Sequence, residues 1–142
     1  MEIPEVRRRL RAVIDTARRQ LAIRRERATA AARAYDVFLE QRAVPTFHQV
    51  ASALTAEGHR FKVFTPAESV RLASDSSQDD YIELAFDVTL DPPRVVGRTN
   101  MGRGRRSISR ERPIHPTAPV EELTDEHVLD FLLAEIEPFV ER

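Results

Sequence analysis

The segment RTNMGRGRRSISRERP, residues 98–113, concentrates the groups of this chain that are best suited to binding an anion. It contains two glycines, no lysine and six arginines: Arg98, Arg103, Arg105, Arg106, Arg110 and Arg112. A guanidinium can hold a phosphate or a carboxylate through two parallel hydrogen bonds. The segment therefore indicates either a recognition site for a phosphate or an acidic partner, or a polar stretch whose arginines are neutralised within the protein.

The distribution of charge along the chain favours neutralisation within the protein. Residues 91–113 carry seven arginines against two acids, whereas residues 114–142 carry eight acids against one arginine. The formal net charge is only −1, and a nucleic-acid-binding domain usually has a net basic excess. We expect Glu121, Glu122 and the acidic last helix, or those of a second subunit, to neutralise the arginines, and we keep nucleic-acid binding as the alternative.

Residue types that support catalysis or metal binding are sparse. The absence of cysteine excludes disulfides and thiolate metal sites. The motif DSSQDD at 75–80 lacks the glycine and the glutamate of a calcium loop, and neither a nucleophile elbow nor a phosphate-binding glycine loop occurs. None of the four histidines has the helical spacing of a metal site: His48, His59, His115 and His127. We therefore expect no catalytic residue, cofactor or metal. A further alternative, after a partner-binding protein and a nucleic-acid-binding protein, is an enzyme whose site is dispersed over Glu83, His115 and the loop arginines.

Glu83 and Asp87 are the one pair of carboxylates that the strand pattern places on a common face. Four residues of strand separate them, which corresponds to about 13 Å. That separation is too large for acid–base partnership on a glycosidic bond. We interpret the pair as part of an exposed polar sheet face, which is either solvated or turned towards a partner.

The N-terminal region predicts one long amphipathic helix. No glycine or proline occurs between Glu5 and Gln41. At about 100° per residue, the apolar side chains fall in one sector roughly 120° wide, and most arginines fall outside it. Members of the sector include Val6, Leu10, Val13, Ile14, Ala17, Leu21, Ala28, Ala31, Ala32, Tyr35, Phe38 and Leu39.

Such a helix is longer than a compact domain of this size. At 1.5 Å per residue, 37 residues span about 55 Å, whereas the expected diameter of the domain is under about 40 Å. The apolar spacing also follows a heptad seam, so we expect a homodimer, or a protein partner, held as a coiled coil. The predicted self-association residues are Leu10, Ile14, Ala17, Leu21, Arg24, Ala28, Ala31 and Tyr35.

Two alternatives stay open along this helix. The later helices of the same chain could cover the whole apolar stripe, or the helix could break near 24–27. Arg24 is the one charge within the sector before Arg42. It either sets the register of a seam or extends its guanidinium to solvent from the edge of the stripe.

The remaining elements predict an α+β fold in a single domain covering 1–142, with a helix over 1–44 and an α+β body over 45–142. Thr46 and Gln49 form a capping-box pattern for a short helix over about 47–57, and Gly58 suits its end. Four or five short segments alternate apolar and polar residues and predict an antiparallel meander. Thr124 is placed to cap a last helix, which Pro138 ends or kinks.

From these features we expect a non-enzymatic interaction or assembly module. The long helix supplies the self-association surface, and the arginine segment with the exposed sheet face recognises a partner. The chain has no apolar run of about 20 residues, so we expect no membrane span. Cytoplasm is the default compartment.

Overall fold

The computed structural model describes residues 1–141, so the predicted domain limit at 142 lies one residue outside the described range. Within that range the chain has the predicted α+β architecture: a long N-terminal helix, a short helix, an antiparallel sheet and a C-terminal helix. The short helix and the C-terminal helix pack on the sheet, whereas most of the long N-terminal helix is exposed.

The N-terminal helix α1 spans Ile3–Phe38, 36 residues, and has no break near 24–27. Pro4 lies in its first turn, where a missing N–H costs no hydrogen bond. A π-helical turn, Leu39–Ala43, follows at once and leads into helix α2, Val44–Ala56. The backbone is therefore helical without a gap from residue 3 to residue 56, and the predicted boundary at 44/45 falls inside this helical segment.

The predicted capping box at Thr46 is wrong, because α2 has no free N-terminus. The preceding helical turn already supplies acceptors for its first N–H groups, so no side-chain cap is needed. The hydroxyl of Thr46 instead donates to the carbonyl of Arg42, at 2.8 Å. The predicted end of the helix is confirmed: Gly58 has φ +92°, the left-handed conformation that favours glycine.

Five strands within the described range form one antiparallel meander in the order β1-β2-β3-β4-β5. They are β1 (Phe61–Phe64), β2 (Val70–Ser74), β3 (Tyr81–Asp87), β4 (Arg94–Arg103) and β5 (Arg106–Pro113). The apolar–polar alternation after β3 continues to Leu90, but the strand ends at Asp87. The carboxylate of Asp87 accepts a hydrogen bond from the backbone N–H of Thr89, at 2.9 Å, which turns the chain.

The C-terminal helix α3 spans Asp125–Val140 and begins at the predicted cap, Thr124. The Thr124 hydroxyl accepts from the N–H of His127, and Nδ1 of His127 accepts from the N–H of Thr124, at 3.3 and 3.0 Å. Histidine thus takes the place that glutamate or glutamine has in the usual capping box. Pro138 lies inside α3, which continues for two further residues.

The core lies between the sheet and the helices α2 and α3, and the C-terminal end of α1 adds Tyr35 and Phe38 to it. Helix α2 packs over β1 and β2, and α3 packs over β3 and β4. Gly97 on β4 permits the approach of α3, since a Cβ at that position would lie 2.0 Å from the ring of Phe131. The fully buried large side chains are Tyr35, Phe47, Val70, Leu72, Ile82, Leu84, Val128 and Leu132.

Candidate interaction surfaces

The first two-thirds of α1 extends beyond the body of the protein. Every residue from Met1 to Arg27 is exposed except the half-buried Glu5. The sector's exposed apolar side chains before Arg24, which we call the α1 stripe, are Val6, Leu10, Val13, Ile14, Ala17 and Leu21. Leu10 is 55% exposed, and Ile14 is 40% exposed. Large apolar side chains in such a row are typical of a surface that contacts another molecule.

The predicted self-association residues divide between two environments. Leu10, Ile14, Ala17, Leu21 and Arg24 are exposed, and Ala28 is half-buried. Ala31 and Tyr35, by contrast, are buried in the chain's own core, and Tyr35 is only 2% exposed. These last two are not available to a second copy, so the α1 stripe ends at Leu21.

Tyr35 anchors the end of α1 to the sheet. Its ring stacks on Phe86, with centroids 4.6 Å apart, and its hydroxyl donates to the carbonyl of Glu68. Glu68 holds this position with φ +59°, which is uncommon for a residue with a side chain. Burial of the phenol, followed by the nearby negative charge of Glu68, raises the pKa of Tyr35 well above its usual value. This end of α1 therefore belongs to the folded body.

The α1 stripe cannot fold back onto the body of its own chain. The backbone from Leu21 to Val44 is helical throughout, and 23 residues of helix span about 35 Å. Reversing direction would require the helix to break. Within residues 1–141, nothing covers the stripe.

A second apolar surface lies on the outer side of α2 and α3. The two helices lie side by side and leave a groove of about 380 Å³, and Leu133 in its wall is 56% exposed. The apolar lining residues are Val50, Ala53, Leu54, Leu129, Leu133 and Ile136. Carboxylates border the groove: Glu57, Asp125 and Glu126. We call this surface the α2–α3 groove.

The arginine segment forms the hairpin of β4 and β5, and its base is neutralised within the chain. Arg98 pairs with Glu111 on the neighbouring strand at 2.6 Å, and this hydrogen bond raises the pKa of Arg98. Arg112 pairs with Glu135 of α3 at 2.7 Å, and its guanidinium lies over the ring of Phe131. The predicted pairing with the last helix is thus observed for Arg112, through Glu135.

The tip of the hairpin differs from its base. Arg103 and Arg106 face each other across the strands, and Arg105 lies in the turn beside Gly104, which has φ +61°. These three and Arg110 are exposed, and none of the ion pairs found in residues 1–141 includes any of them. We call Arg103, Arg105 and Arg106 the hairpin tip. It consists of three neighbouring arginines that no ion pair within residues 1–141 neutralises.

The predicted polar sheet face carries a cross-strand row of alternating charge. The register places Arg71, Glu83, Arg98 and Glu111 side by side on four successive strands. Glu83 pairs with Arg71 at 3.0 Å and is only 7% exposed, so the prediction that it lies on an open face is wrong. The arginines on both sides of Glu83, Arg71 and Arg98, pair with acids of the sheet. Most of the charge of this row is therefore neutralised within the sheet.

The residues of the dispersed enzyme alternative hold local structure. Nδ1 of His115 accepts from the backbone N–H groups of Thr117 and Ala118, at 3.1 and 2.8 Å. The ring of His127 lies 4.7 Å from that of His115 and caps α3. His48 is exposed and His59 is half-buried, and within residues 1–141 no three potential ligands are grouped so as to hold a metal ion.

Sequence reasoning missed the α2–α3 groove. The sequence pattern predicts both helices but not a groove between them. A signal existed in α3, where Leu129, Leu133 and Ile136 continue the apolar sector beyond the arc that one sheet can cover. Which part of a wide apolar sector stays uncovered depends on how the helices pack.

No family model, no curated protein and no solved structure was found to match this chain. None of the helices in residues 1–141 combines the length and the apolar character needed to cross a bilayer. Three exposed surfaces are therefore the features from which a function can be inferred: the α1 stripe, the α2–α3 groove and the hairpin tip.

Proposed function

We propose that the protein is a non-enzymatic assembly module that forms a homodimer through the α1 stripe. The observation that carries the proposal is the row of apolar side chains on a helix that extends beyond the body, which includes Leu10, Ile14 and Leu21. An exposed leucine or isoleucine that becomes fully buried contributes roughly 1.5–3 kcal/mol. Several such side chains on one face favour association with a second apolar surface.

The hairpin tip is the recognition element of this module. Arg98 and Arg112 are neutralised at the base of the hairpin, so the charge available to a partner is that of the hairpin tip together with the exposed Arg110. Guanidinium groups pair with carboxylates through two hydrogen bonds, so an acidic protein surface is a suitable partner. In a dimer the two tips belong to one particle and can bind a partner with two sites more tightly than one tip can.

The molar mass in solution tests the self-association. We expect light scattering after gel filtration to give twice the chain mass of 16.2 kDa at high concentration, and a lower mean mass on dilution. Leu10→Glu combined with Ile14→Glu places two charges in the stripe and shifts the protein to monomer. The matched control is Ile23→Glu, since Ile23 is 47% exposed but lies outside the stripe, and this variant remains a dimer. A wild-type protein that is monomeric throughout the concentration series would contradict the proposal.

The second candidate function is that of a nucleic-acid-binding accessory protein. The observation that favours it is the hairpin tip, where three exposed arginines make no ion pair within residues 1–141. If these arginines displace counterions from phosphates, log K falls linearly with log salt. Arg105→Glu then weakens binding to labelled DNA or RNA, whereas Arg60→Glu makes the same charge change at an exposed site outside the hairpin and has little effect. Absence of binding at low salt excludes this candidate.

A further inference from the structure

The α2–α3 groove and the α1 stripe match in length and in apolar character. The stripe places Leu10, Ile14, Ala17 and Leu21 on one side of a helix, at spacings of four, three and four residues. Helices that bind in apolar grooves use this spacing. The groove is lined on both sides by apolar side chains, including the exposed Leu133. The 16 residues from Val6 to Leu21 span about 24 Å, and the 16-residue α3 that forms one wall of the groove has the same length.

The charges that surround the two surfaces are opposite. Residues 6–21 contain six arginines and one aspartate, whereas residues 125–140, which form α3, contain five acids and neither lysine nor arginine. On a projection of about 100° per residue, Arg7 and Arg9 border the stripe on its two sides. The groove is bordered by Glu57, Asp125 and Glu126. Asp125 already pairs with Arg42 at 3.3 Å, so a helix in the groove would bring its flanking arginines near the remaining rim carboxylates, Glu57 and Glu126.

A seam formed by two α1 helices would be short. Four apolar heptad positions lie before the exposed Arg24: Leu10, Ile14, Ala17 and Leu21. The heptad positions from Ala31 onward are buried in the chain's own core. Coiled coils are recognised over three to four heptads or more, and the four free positions cover fewer than two. The groove offers an apolar contact on both sides of the helix, which a second α1 helix does not.

On these grounds we infer that the α2–α3 groove is the docking site for the α1 stripe of a second copy of this chain. This inference rests on the proposed self-association and specifies its geometry. Since the continuous helix keeps each stripe away from its own groove, the occupant comes from another chain. When two copies exchange their α1 helices, both grooves and both stripes are covered in one closed pair.

Disulfide trapping tests the docking site, and the absence of native cysteine means that only introduced thiols can react. Leu133→Cys is made in one chain, and Leu10→Cys, Ile14→Cys or Ala17→Cys is made in another chain that carries a tag, so that the three possible dimers differ in mass. Each pair is mixed, equilibrated and oxidised mildly. For at least one α1 position, we expect the mixed dimer to exceed the binomial proportion that random collision would produce.

Each result of this experiment either supports or overturns docking of the α1 stripe in the α2–α3 groove. Enrichment of the mixed dimer supports docking of α1 in the groove. Predominance of an α1–α1 disulfide, or of a Leu133–Leu133 disulfide, overturns the docking site and leaves self-association in place. A wild-type dimer with no enrichment in any of the three pairs also overturns it. A wild-type monomer with no enrichment overturns the proposed function and the docking site together.

The rim charges provide an independent measurement. Glu57→Arg combined with Glu126→Arg reverses the charge at the border of the groove, and both positions are exposed. We expect the dimer dissociation constant to rise about tenfold or more at low salt, and the difference from wild type to shrink as salt screens the charges. Asp130→Arg is a control, since this exposed residue of α3 does not line the groove, and it leaves the dissociation constant within about twofold of wild type. An unchanged dissociation constant in the double variant would overturn the docking site.

Discussion

The two ends of α1 have the same apolar pattern and different environments. From Ala31 onward the apolar sector contacts the protein's own core, in which Ala31, Tyr35 and Phe38 are buried, although Ala32 in the same sector is exposed. From Val6 to Leu21 the same sector is exposed. The β4–β5 hairpin shows a similar contrast, with neutralised arginines at its base and unneutralised ones at its tip. In both elements, one end contacts the rest of the fold and the other end is exposed.

The largest expected change in the free energy of unfolding distinguishes the buried end of α1 from its exposed end. Phe38→Ala removes a ring from the core and lowers the free energy of unfolding by about 3–5 kcal/mol. Leu10→Ala changes the unfolding of the monomer by no more than about 0.5 kcal/mol but weakens the dimer. Urea unfolding at a protein concentration where the dimer dissociates measures the free energy of unfolding of the monomer. A dilution series measures the dissociation constant of the dimer. Equal losses of monomer stability would contradict the division of α1.

The base of the hairpin should be intolerant of added volume. Gly97→Ala places a methyl group against the ring of Phe131, and we expect a loss of about 1–3 kcal/mol from overpacking. Gly102→Ala is the control, because its Cβ would meet its nearest neighbour at an ordinary 3.5 Å. Thermal or urea unfolding of both variants measures the difference. A Gly97→Ala protein as stable as the Gly102→Ala protein would show that α3 does not rest on β4 at this point.

Alkaline pH should weaken the end of α1 that carries Tyr35. Burial raises the pKa of Tyr35 above its usual 10.0, so above pH 10 the unfolded chain loses a proton that the folded chain keeps. Stability is then fully present below pH 10 and falls as pH rises, with a slope of up to about 1.4 kcal/mol per pH unit. Tyr35→Phe removes this component of the pH dependence, although it also loses the hydrogen bond to Glu68. Identical alkaline slopes in the two proteins would contradict the assignment.

The smallest expected change in stability distinguishes the arginines at the base of the hairpin from those at its tip. Arg112→Ala loses a contact with Phe131 and an ion pair with Glu135, and we expect about 1 kcal/mol or less from the two together. Arg105→Ala at the tip changes stability by no more than about 0.5 kcal/mol. Differential scanning calorimetry compares the two. If Arg105→Ala proved the more destabilising, the tip would belong to the fold and would not be free for a partner.

Much of the fold could be predicted because its signals are local. The spacing of apolar residues indicated α1 and the strands, and Thr124 and Gly58 marked real helix ends. The errors arose where a local pattern fits two structures. Thr46 has a capping pattern, but the preceding turn is already helical, so its hydroxyl donates back to Arg42. Glu83 occupies a polar strand position, yet its charged neighbours bury it.

By itself, the sequence determined the type and order of the elements, the presence of an apolar stripe on α1, and the separation of positive and negative charge along the chain. These features depend on residue periodicity and composition, which are local properties and do not depend on contacts between distant residues. Only the tertiary structure decided where the stripe leaves the body, which arginines meet carboxylates, and that α2 and α3 leave a groove between them. Those features are set by the packing of residues far apart in the chain, such as Gly97 against Phe131 and Tyr35 against Phe86.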